Sequence, residues 1–403
     1  MDGGNGLKKS ATKSRAGANC FLQSFRVPCQ YPVYFTRDLF AKSNPILADA
    51  LGESDEPGPR RMLAYVDDGL AKVDRTVLPA LQAYCSAHAD VCTLVRPPEL
   101  VPGGERTKNG WNVVRSIMTT IGKAHLCRHS YILAVGGGSV LDMVGFAASL
   151  VHRGVRLIRV PTTVLGQCDG GVGVKNGMDE HGMKNFVGTF APPFAVLVDF
   201  SFLRTLKPKY WTGGLAEAFK VAIIKDARLF GFLCRNADRL RLRDEAAIEH
   251  VVKRAAILHM KHIGGGGDPF ELGTARPLDF GHWAAHKLEV LSNYRLGHGQ
   301  AVAIGIALDS SYAASRGLIT ASQRDRIVRA MKETGLPVWD RILGERDKDG
   351  RAVILGGLEE FREHLGGRLT ITLPEGIGHR VEVHDVDTAA MAGCMAFLRQ
   401  AAG

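Results

Sequence analysis

The chain has 403 residues, more than one ordinary domain of roughly 100–200, so two domains are expected. Its 45% hydrophobic and 23% charged residues exclude a disordered or fibrous chain, and no apolar run approaches the roughly eighteen residues of a membrane span. Lysine and arginine total 51 against 41 acids, a formal +10 that suits an anionic partner without naming it.

Residues 1–20 are rich in Gly, Ser and Lys, with Lys8, Lys9, Lys13 and Arg15 against the single acid Asp2. Few apolar residues could hold this stretch down, so a disordered basic tail is expected. It has no apolar signal core, which points to a cytoplasmic protein. The eight cysteines form no C-x-x-C pair and are expected reduced and mostly buried. Arg61–Asp67 reads as a strand that stops at acidic turn residues, and Val113–Ile121 has helical apolar spacing. Tyr131–Val135 reads as a strand running into Gly136-Gly137-Gly138, with Leu141–Leu150 as the helix that follows. Leu157–Val160 and Ala195–Val198 are further short buried strands. This strand–glycine–helix alternation predicts a parallel sheet covered by helices. After Leu206 the strand signals nearly vanish. Trp211–Phe232, Glu245–His262, His282–Leu291 and Ala301–Ala314 all carry helical spacing. The expected organisation is an α/β domain over 21–205 and an all-helical domain over 206–403.

Four clusters carry chemistry. Gly136–Gly138 lies between a strand and a helix, where backbone amides at the positive end of the helix dipole can approach a pyrophosphate; a tight turn is the plain alternative. Asp142 falls in the first turn of that helix. Asp169–Lys175-Asn176 and Gly182-Met-Lys184-Asn185 put lysine and amide side chains on glycine-rich loops, a pattern suited to phosphate, and Arg153 could join them. Glu217 and Lys220 share a helical face at i,i+3, which a surface ion pair would also satisfy. His282 and His286 are one helical turn apart, and His298 follows. One glutamate with two histidines matches the three protein ligands of a catalytic zinc with an open fourth position.

Together these clusters resemble the dehydroquinate synthase superfamily, the sugar-phosphate cyclases, from about Glu105 to Ala314. The resemblance rests on Gly136-Gly-Gly-Ser-Val-Leu-Asp142, Arg159-Val-Pro-Thr162-Thr163, Asp169–Lys175, Gly182–Asn185, Gly214-Leu-Ala-Glu217-Ala-Phe-Lys220 and Asp279-Phe-Gly-His282. It implies an N-terminal Rossmann-like NAD-binding domain, a helical metal-binding domain, an active site between them, and a homodimer. Carried over by position, the metal ligands for Zn2+ or Co2+ would be Glu217, His282 and His298. The NAD contacts would be Asp68 (or Asp67), Glu105, Lys108, Gly137, Gly138, Asp142, Thr162, Thr163 and Thr205. Substrate contacts would be Arg153, Lys184, Asn185, Lys261 and Asp279, with Lys175, Lys220, His286 and Asp169 in catalytic roles. The implied reaction oxidises a phosphorylated ketose with NAD+, eliminates phosphate, returns the hydride, and closes the ring by an intramolecular aldol step.

Departures from the family pattern bear on the substrate. Dehydroquinate synthases carry Arg-x-x-Asn before the first metal histidine, the arginine holding a substrate carboxylate. Here the run is Ala275-Arg276-Pro277-Leu278-Asp279, so the arginine has slipped and a carboxylate replaces the amide. Asp279 would repel an acidic substrate and resembles the sedoheptulose 7-phosphate cyclases. Against that, His286 and Lys261 are retained, Gln300 replaces the acid after the second metal histidine, and no lysine pair appears near Arg362, Glu363 and His364. Sedoheptulose 7-phosphate is the favoured substrate, giving a product like 2-epi-5-epi-valiolone. The alternative is 3-deoxy-D-arabino-heptulosonate 7-phosphate, giving 3-dehydroquinate. A metal-dependent polyol dehydrogenase and a non-catalytic paralogue are the remaining readings. Lys175, Lys184 and Asn185 argue against the first, and the intact Glu–His–His set against the second. Small anions, rather than nucleic acid or membrane, are the expected partners of the positive charge.

Overall fold

The computed structural model describes residues 23–25, 27–52, 57–181, 183–265, 270, 277–364 and 367–403. The expected tail over 1–20, Gly182 and the displaced Arg276 lie outside the described residues. Contacts divide the chain into Met1–Gln30 and Tyr31–Gly403, and the architecture belongs to the second unit.

Among the described residues, nine strands precede residue 200: β1 (Val33–Thr36), β2 (Arg60–Asp67), β3 (Cys92–Leu94), β4 (Glu99–Val101), β5 (Tyr131–Gly136), β6 (Arg156–Pro161), β7 (Lys175–Glu180), β8 (Met183–Phe190) and β9 (Ala195–Asp199). All but β7 and β8 form one parallel sheet in the order β1-β9-β6-β5-β2-β3, with β4 also on β2. The central strands are mostly apolar because both faces are covered, with Arg159 of β6 a buried exception. Met62, Ala64, Val66, Leu133 and Val135 point into one layer with the Ile46–Gly52 and Val77–Ala87 helices. Leu63, Tyr65, Ile132 and Ala134, the alternate residues, point into the other with Asn112–Lys123 and Gly138–Leu150. On β9 the same alternation sends Val196 and Val198 into the core of the helical half, so sheet and helices share packing there.

Helices dominate after residue 207: Pro208–Lys225, Ala227–Arg235, Glu245–Gly265, His282–Leu291, His298–Ser315, Ala321–Glu333 and Thr388–Ala402 are the longer ones. The segment Trp211–Phe232, expected as one helix, is two. Asp226 is extended (φ −148°), and its carboxylate accepts from the amides of Arg228 and Leu229, starting a new helix. This half is not all-helical either, since β10 (Ile371–Pro374) and β11 (Arg380–Val383) form an antiparallel hairpin.

A second correction concerns the lysine-bearing segments expected as glycine-rich loops. Lys175–Glu180 and Met183–Phe190 are an antiparallel hairpin, with the bulge falling between Met178 and Glu180. Its glycines serve close approach rather than a loop: Gly177 pairs with Gly188, where a Cβ would lie 2.7 Å from the Asn176 carbonyl. Of the seven described cysteines, Cys85, Cys92, Cys168 and Cys394 are buried, and all seven are free thiols.

Candidate active site

β2, β5 and β6 end side by side, with Val66 beside Val135 and Gly136 beside Pro161. The carboxyl ends of parallel strands are where an open α/β sheet leaves a crevice. Gly136–Gly138 turns there into the Gly138–Leu150 helix. Small residues are obligatory at this corner: a Cβ on Gly136 would lie 2.8 Å from the Val140 side chain, and one on Gly137 would lie 3.1 Å from Thr163. Thr162 donates its amide to Gly136 O at 3.0 Å, and Thr163 Oγ1 accepts from Gly166 N. Asp67, at the end of β2, accepts from the amides of Gly69 and Leu70. Asp68 instead accepts from Gly103 N at 3.1 Å and pairs with Lys72. Thr205 lies just past β9 and donates its hydroxyl to Phe202 O.

Glu217, His282 and His298 converge from three helices, their ligand atoms all within 4.8 Å of one another. His298 Nε2 lies 3.4 Å from Glu217 Oε1, and His282 Nε2 lies 4.0 Å from the same atom. Each imidazole engages its other nitrogen elsewhere. His298 Nδ1 meets Glu289 Oε2 at 3.1 Å, and His282 Nδ1 meets Phe280 O at 3.2 Å. That leaves both Nε2 atoms turned toward the carboxylate, the second-partner pattern of metal-ligating histidines. Glu217 is only 1% exposed, and neither of its oxygens makes a hydrogen bond, so the Lys220 ammonium compensates its burial on the Oε2 side. Lys220 Nζ stands 2.6 Å from Glu217 Oε2, in charge contact but outside hydrogen-bond geometry. The donor set of one carboxylate and two imidazoles fits zinc or a similar divalent ion. His286 lies nearby, with its ring centre 5.6 Å from that of His282 and 6.3 Å from that of His298. Burial, reinforced by His282, holds it well below the ordinary histidine value, so it is neutral.

A chain of alternating charges joins this cluster to the glycine corner. Lys108 Nζ donates to Asp142 Oδ2 at 2.8 Å, contacts Asn185 Oδ1, and stands 3.7 Å from Glu105 Oε1. Lys184 Nζ lies 3.1 Å from Glu105 and 2.7 Å from Glu289 Oε1. Glu289 then holds His298, which faces Glu217, which faces Lys220. Lys220 donates to Asp169 Oδ2 at 2.8 Å, and His259 Nδ1 lies 2.5 Å from Asp169 Oδ1. Burial opposes the charges of Glu105, Lys108, Asp169, Lys184, Lys220, Glu289 and His298, and their partners outweigh it. Lys184 is raised by Glu105 and Glu289, while Asp169 is lowered by Lys220 and His259. His298 is pushed up to about 9 by Glu289 and Glu217 despite its burial.

The i,i+3 pair Glu217–Lys220 is therefore interior, not a surface pair. Lys184 is already paired between two carboxylates. Asn185, at φ 51°, donates its amide to Asp179. Arg153 is exposed in the left-handed region (φ 64°) beyond the Gly138–Leu150 helix, and Lys175 opens β7 with an exposed side chain. Lys261 is exposed on the Glu245–Gly265 helix, lining a cleft with Lys225, His262 and Arg380. Asp279 is half-buried; burial and Lys220 hold His282 below the ordinary histidine value, and Glu217 and Asp279 only partly offset them. Glu289 and His259 were not singled out from sequence, although Glu289 shares one face with His282 and His286 at helical spacing. Arg159 has a fuller part than its motif suggested. Fully buried, it donates to Gly173 O, Lys175 O and Asn176 Oδ1 at 2.7–2.8 Å, tying down the segment that follows Asp169.

The fold and cluster define a protein with a glycine-turn crevice on a parallel sheet and a buried Glu–His–His centre among helices. The chain belongs to the 3-dehydroquinate synthase family: residues 99–212 match the model for its N-terminal part and 214–349 that for its C-terminal part. It is 32% identical over 381 residues to a 2-epi-5-epi-valiolone synthase of Actinomyces sp, covering 93% of this chain and 96% of that protein. It is 33% identical over 319 residues to a 3-dehydroquinate synthase of Rhodopseudomonas palustris, covering 78% and 82%. The structure superposes with a TM-score of 0.83 on ValA, the 2-epi-5-epi-valiolone synthase of Streptomyces hygroscopicus subsp. jinggangensis 5008 solved with NAD+ and Zn2+ bound. That match is 31% identical and covers 94% of this chain and 99% of ValA.

Proposed function

We propose that this chain is an NAD- and divalent-metal-dependent sugar-phosphate cyclase acting on a seven-carbon ketose phosphate, with sedoheptulose 7-phosphate favoured. The observation that carries the reading is the buried Glu217 carboxylate, without hydrogen bonds and faced by two correctly turned imidazoles. A metal held there would polarise sugar hydroxyls, and a dinucleotide on the Gly137–Gly138 turn would accept and return a hydride. The protein's own part is charge placement. Lys220, fixed between Glu217 and Asp169, stays protonated and offers a donor at the metal side. Neutral His286, its ring beside those of His282 and His298, is our candidate for proton transfer. The rigid Lys108–Glu105–Lys184 bridge orients Asn185 and spans the distance to the crevice. Lys175 and Arg153 are the remaining cations of our phosphate reading, and Lys261 the outermost substrate contact. Asp67 rather than Asp68 is our ribose-side acid, since it packs against the glycine corner, where a Cβ on Gly136 would lie 3.2 Å from the Asp67 Cβ. The change from sheet to helices near residue 205 supports a division into nucleotide-binding and metal-binding halves.

Asp279 beside His282 favours an uncharged C1 end of the sugar, as do the relatives called 2-epi-5-epi-valiolone synthase. The retained His286, with relatives called 3-dehydroquinate synthase, supports 3-deoxy-D-arabino-heptulosonate 7-phosphate as the second reading. The test is incubation with each heptulose phosphate, NAD+ and Zn2+, following phosphate release and product mass. The expected result is stoichiometric phosphate and a carbocycle from sedoheptulose 7-phosphate without net NADH. Net NADH accumulation would make the protein a dehydrogenase, and no turnover with metal and NAD bound would make it a non-catalytic paralogue. A homodimer is the assembly we expect; sedimentation equilibrium measures it. Among the described residues no helix is long and apolar enough to cross a membrane.

A further inference from the structure

The helix His298–Ser315 starts with one proposed metal ligand and carries, eleven residues on, a carboxylate with no part in the site as built so far. Asp309 is 0% exposed, on a helix whose neighbouring residues are almost all apolar. Its surroundings contribute two hydrogen bonds and no cation. Oδ1 accepts from Trp283 Nε1 at 2.8 Å and Oδ2 from Gly281 N at 2.9 Å. These donors lie on either side of His282.

The Gly281 contact reaches further than its own length. The Gly281 N–H and the Phe280 C=O belong to one planar peptide group, with donor and acceptor pointing opposite ways. Asp309 holds the N–H side, and the C=O side meets His282 Nδ1 at 3.2 Å. A carboxylate, a peptide plane and an imidazole are thus aligned in series. When ionised, the carboxylate on the N–H also polarises the peptide and makes its carbonyl the stronger acceptor. Helix contact fixes the next peptide sterically: Gly281 is left-handed (φ 80°), and a Cβ on Gly305 would fall 2.0 Å from Gly281 O, the carbonyl of the Gly281–His282 peptide. As a source of stability, a buried unpaired carboxylate is a poor choice compared with an apolar side chain. What it adds is direction.

We infer that Asp309 is a positioning residue for the metal centre, holding the Phe280–Gly281 peptide so that His282 keeps its proton on Nδ1 and presents Nε2 beside Glu217. The inference rests on the metal site proposed above but not on the substrate. Asp309→Asn retains the volume and one acceptor but turns an NH2 group toward one of the two N–H donors. Chelator competition should show zinc affinity reduced about tenfold to a hundredfold, the range for residues that orient metal-bound histidines. The d–d bands of the cobalt-substituted protein should also move. Ser311→Ala, which removes a buried hydrogen bond to Ala307 O on the same helix, should leave affinity and bands unchanged. An Asp309→Asn protein with wild-type affinity and wild-type bands overturns the inference. Should Asp309→Asn not fold, Trp283→Phe leaves the Gly281 contact intact and should keep the cobalt bands. Displaced bands and a tenfold affinity loss in Trp283→Phe would assign the carboxylate to the indole and overturn the inference as well. Wild-type protein that binds no metal removes this inference together with the metal site. Absence of turnover on every heptulose phosphate, with the metal titration as expected, removes only the cyclase reading.

Discussion

Lys184 illustrates how a residue suited to phosphate can be committed elsewhere. Its ammonium neutralises Glu289 and Glu105 at once, and Glu289 in turn holds the His298 ring. Lys184→Met should therefore destabilise the protein in urea denaturation, by less than the roughly 3–5 kcal/mol of a fully broken buried pair, because His298 still faces Glu289 and Lys108 still lies near Glu105. A purely substrate-binding lysine would change KM and leave the denaturation midpoint alone. Asp309 gives a pH signature. Burial raises its carboxyl from 3.8 to about 7, so between those values the folded protein binds more protons there than the unfolded chain. Its contribution to stability falls as pH rises from about 4 to 7 and is flat above. Denaturation of wild type and Asp309→Asn across that window should show this slope in the wild type only. Residue types brought Glu217, His282, His286 and His298 forward in the sequence, and only the family resemblance singled out Glu217, His282 and His298, the three whose ligand atoms converge. Glu289 and His259 were not, because an acid on a helix and a lone histidine acquire meaning only from the partner that three-dimensional packing brings.

At the scale of elements, the site depends on two helices touching backbone to backbone. A Cβ on Gly299 would lie 2.0 Å from Gly213 O, where the start of His298–Ser315 crosses Pro208–Lys225. One turn beyond Gly213 stands Glu217, and immediately before Gly299 stands His298, so this crossing sets their 3.4 Å approach. Gly299→Ala should cost about 1–3 kcal/mol through overpacking and weaken metal binding, read by denaturation and chelator competition. Gly264→Ala meets nothing within 4 Å and should be neutral or stabilising by up to about 1 kcal/mol. The parallel sheet was readable because strands covered on both faces carry unbroken apolar runs. The β7–β8 hairpin was not, since its outer strand is largely exposed and its glycines mimic loop composition. The helix break at Asp226 was likewise hidden, because apolar spacing continues across a cap that interrupts only the backbone.

For the whole molecule, a chain of formal charge +10 surrounds a centre of opposite sign. Asp142, Glu105, Glu289, Glu217 and Asp169 are five acids against Lys108, Lys184, Lys220 and the raised His298, so 4 − 5 leaves −1, and giving up the His298 proton to a metal would leave −2 for one divalent cation to balance. Zinc should accordingly raise the thermal midpoint. At a hundredfold excess over Kd the stabilisation is about 2.7 kcal/mol. Calorimetry should show it reversed by chelator and absent in His282→Ala, and an unshifted midpoint in the wild type would refute the metal site. The alternating chain from Asp142 to Asp169 carries one more consequence. Its two ends lie at the two proposed pockets, and every member is held by its neighbours. A ligand that re-sets the charges at one end then changes the work of binding at the other. Such cooperativity is reciprocal: the factor by which dinucleotide alters zinc affinity must equal the factor by which zinc alters dinucleotide affinity. Titrations run in the two orders must therefore sum to the same free energy, and uncharging Lys184 in the middle should bring that shared factor toward one.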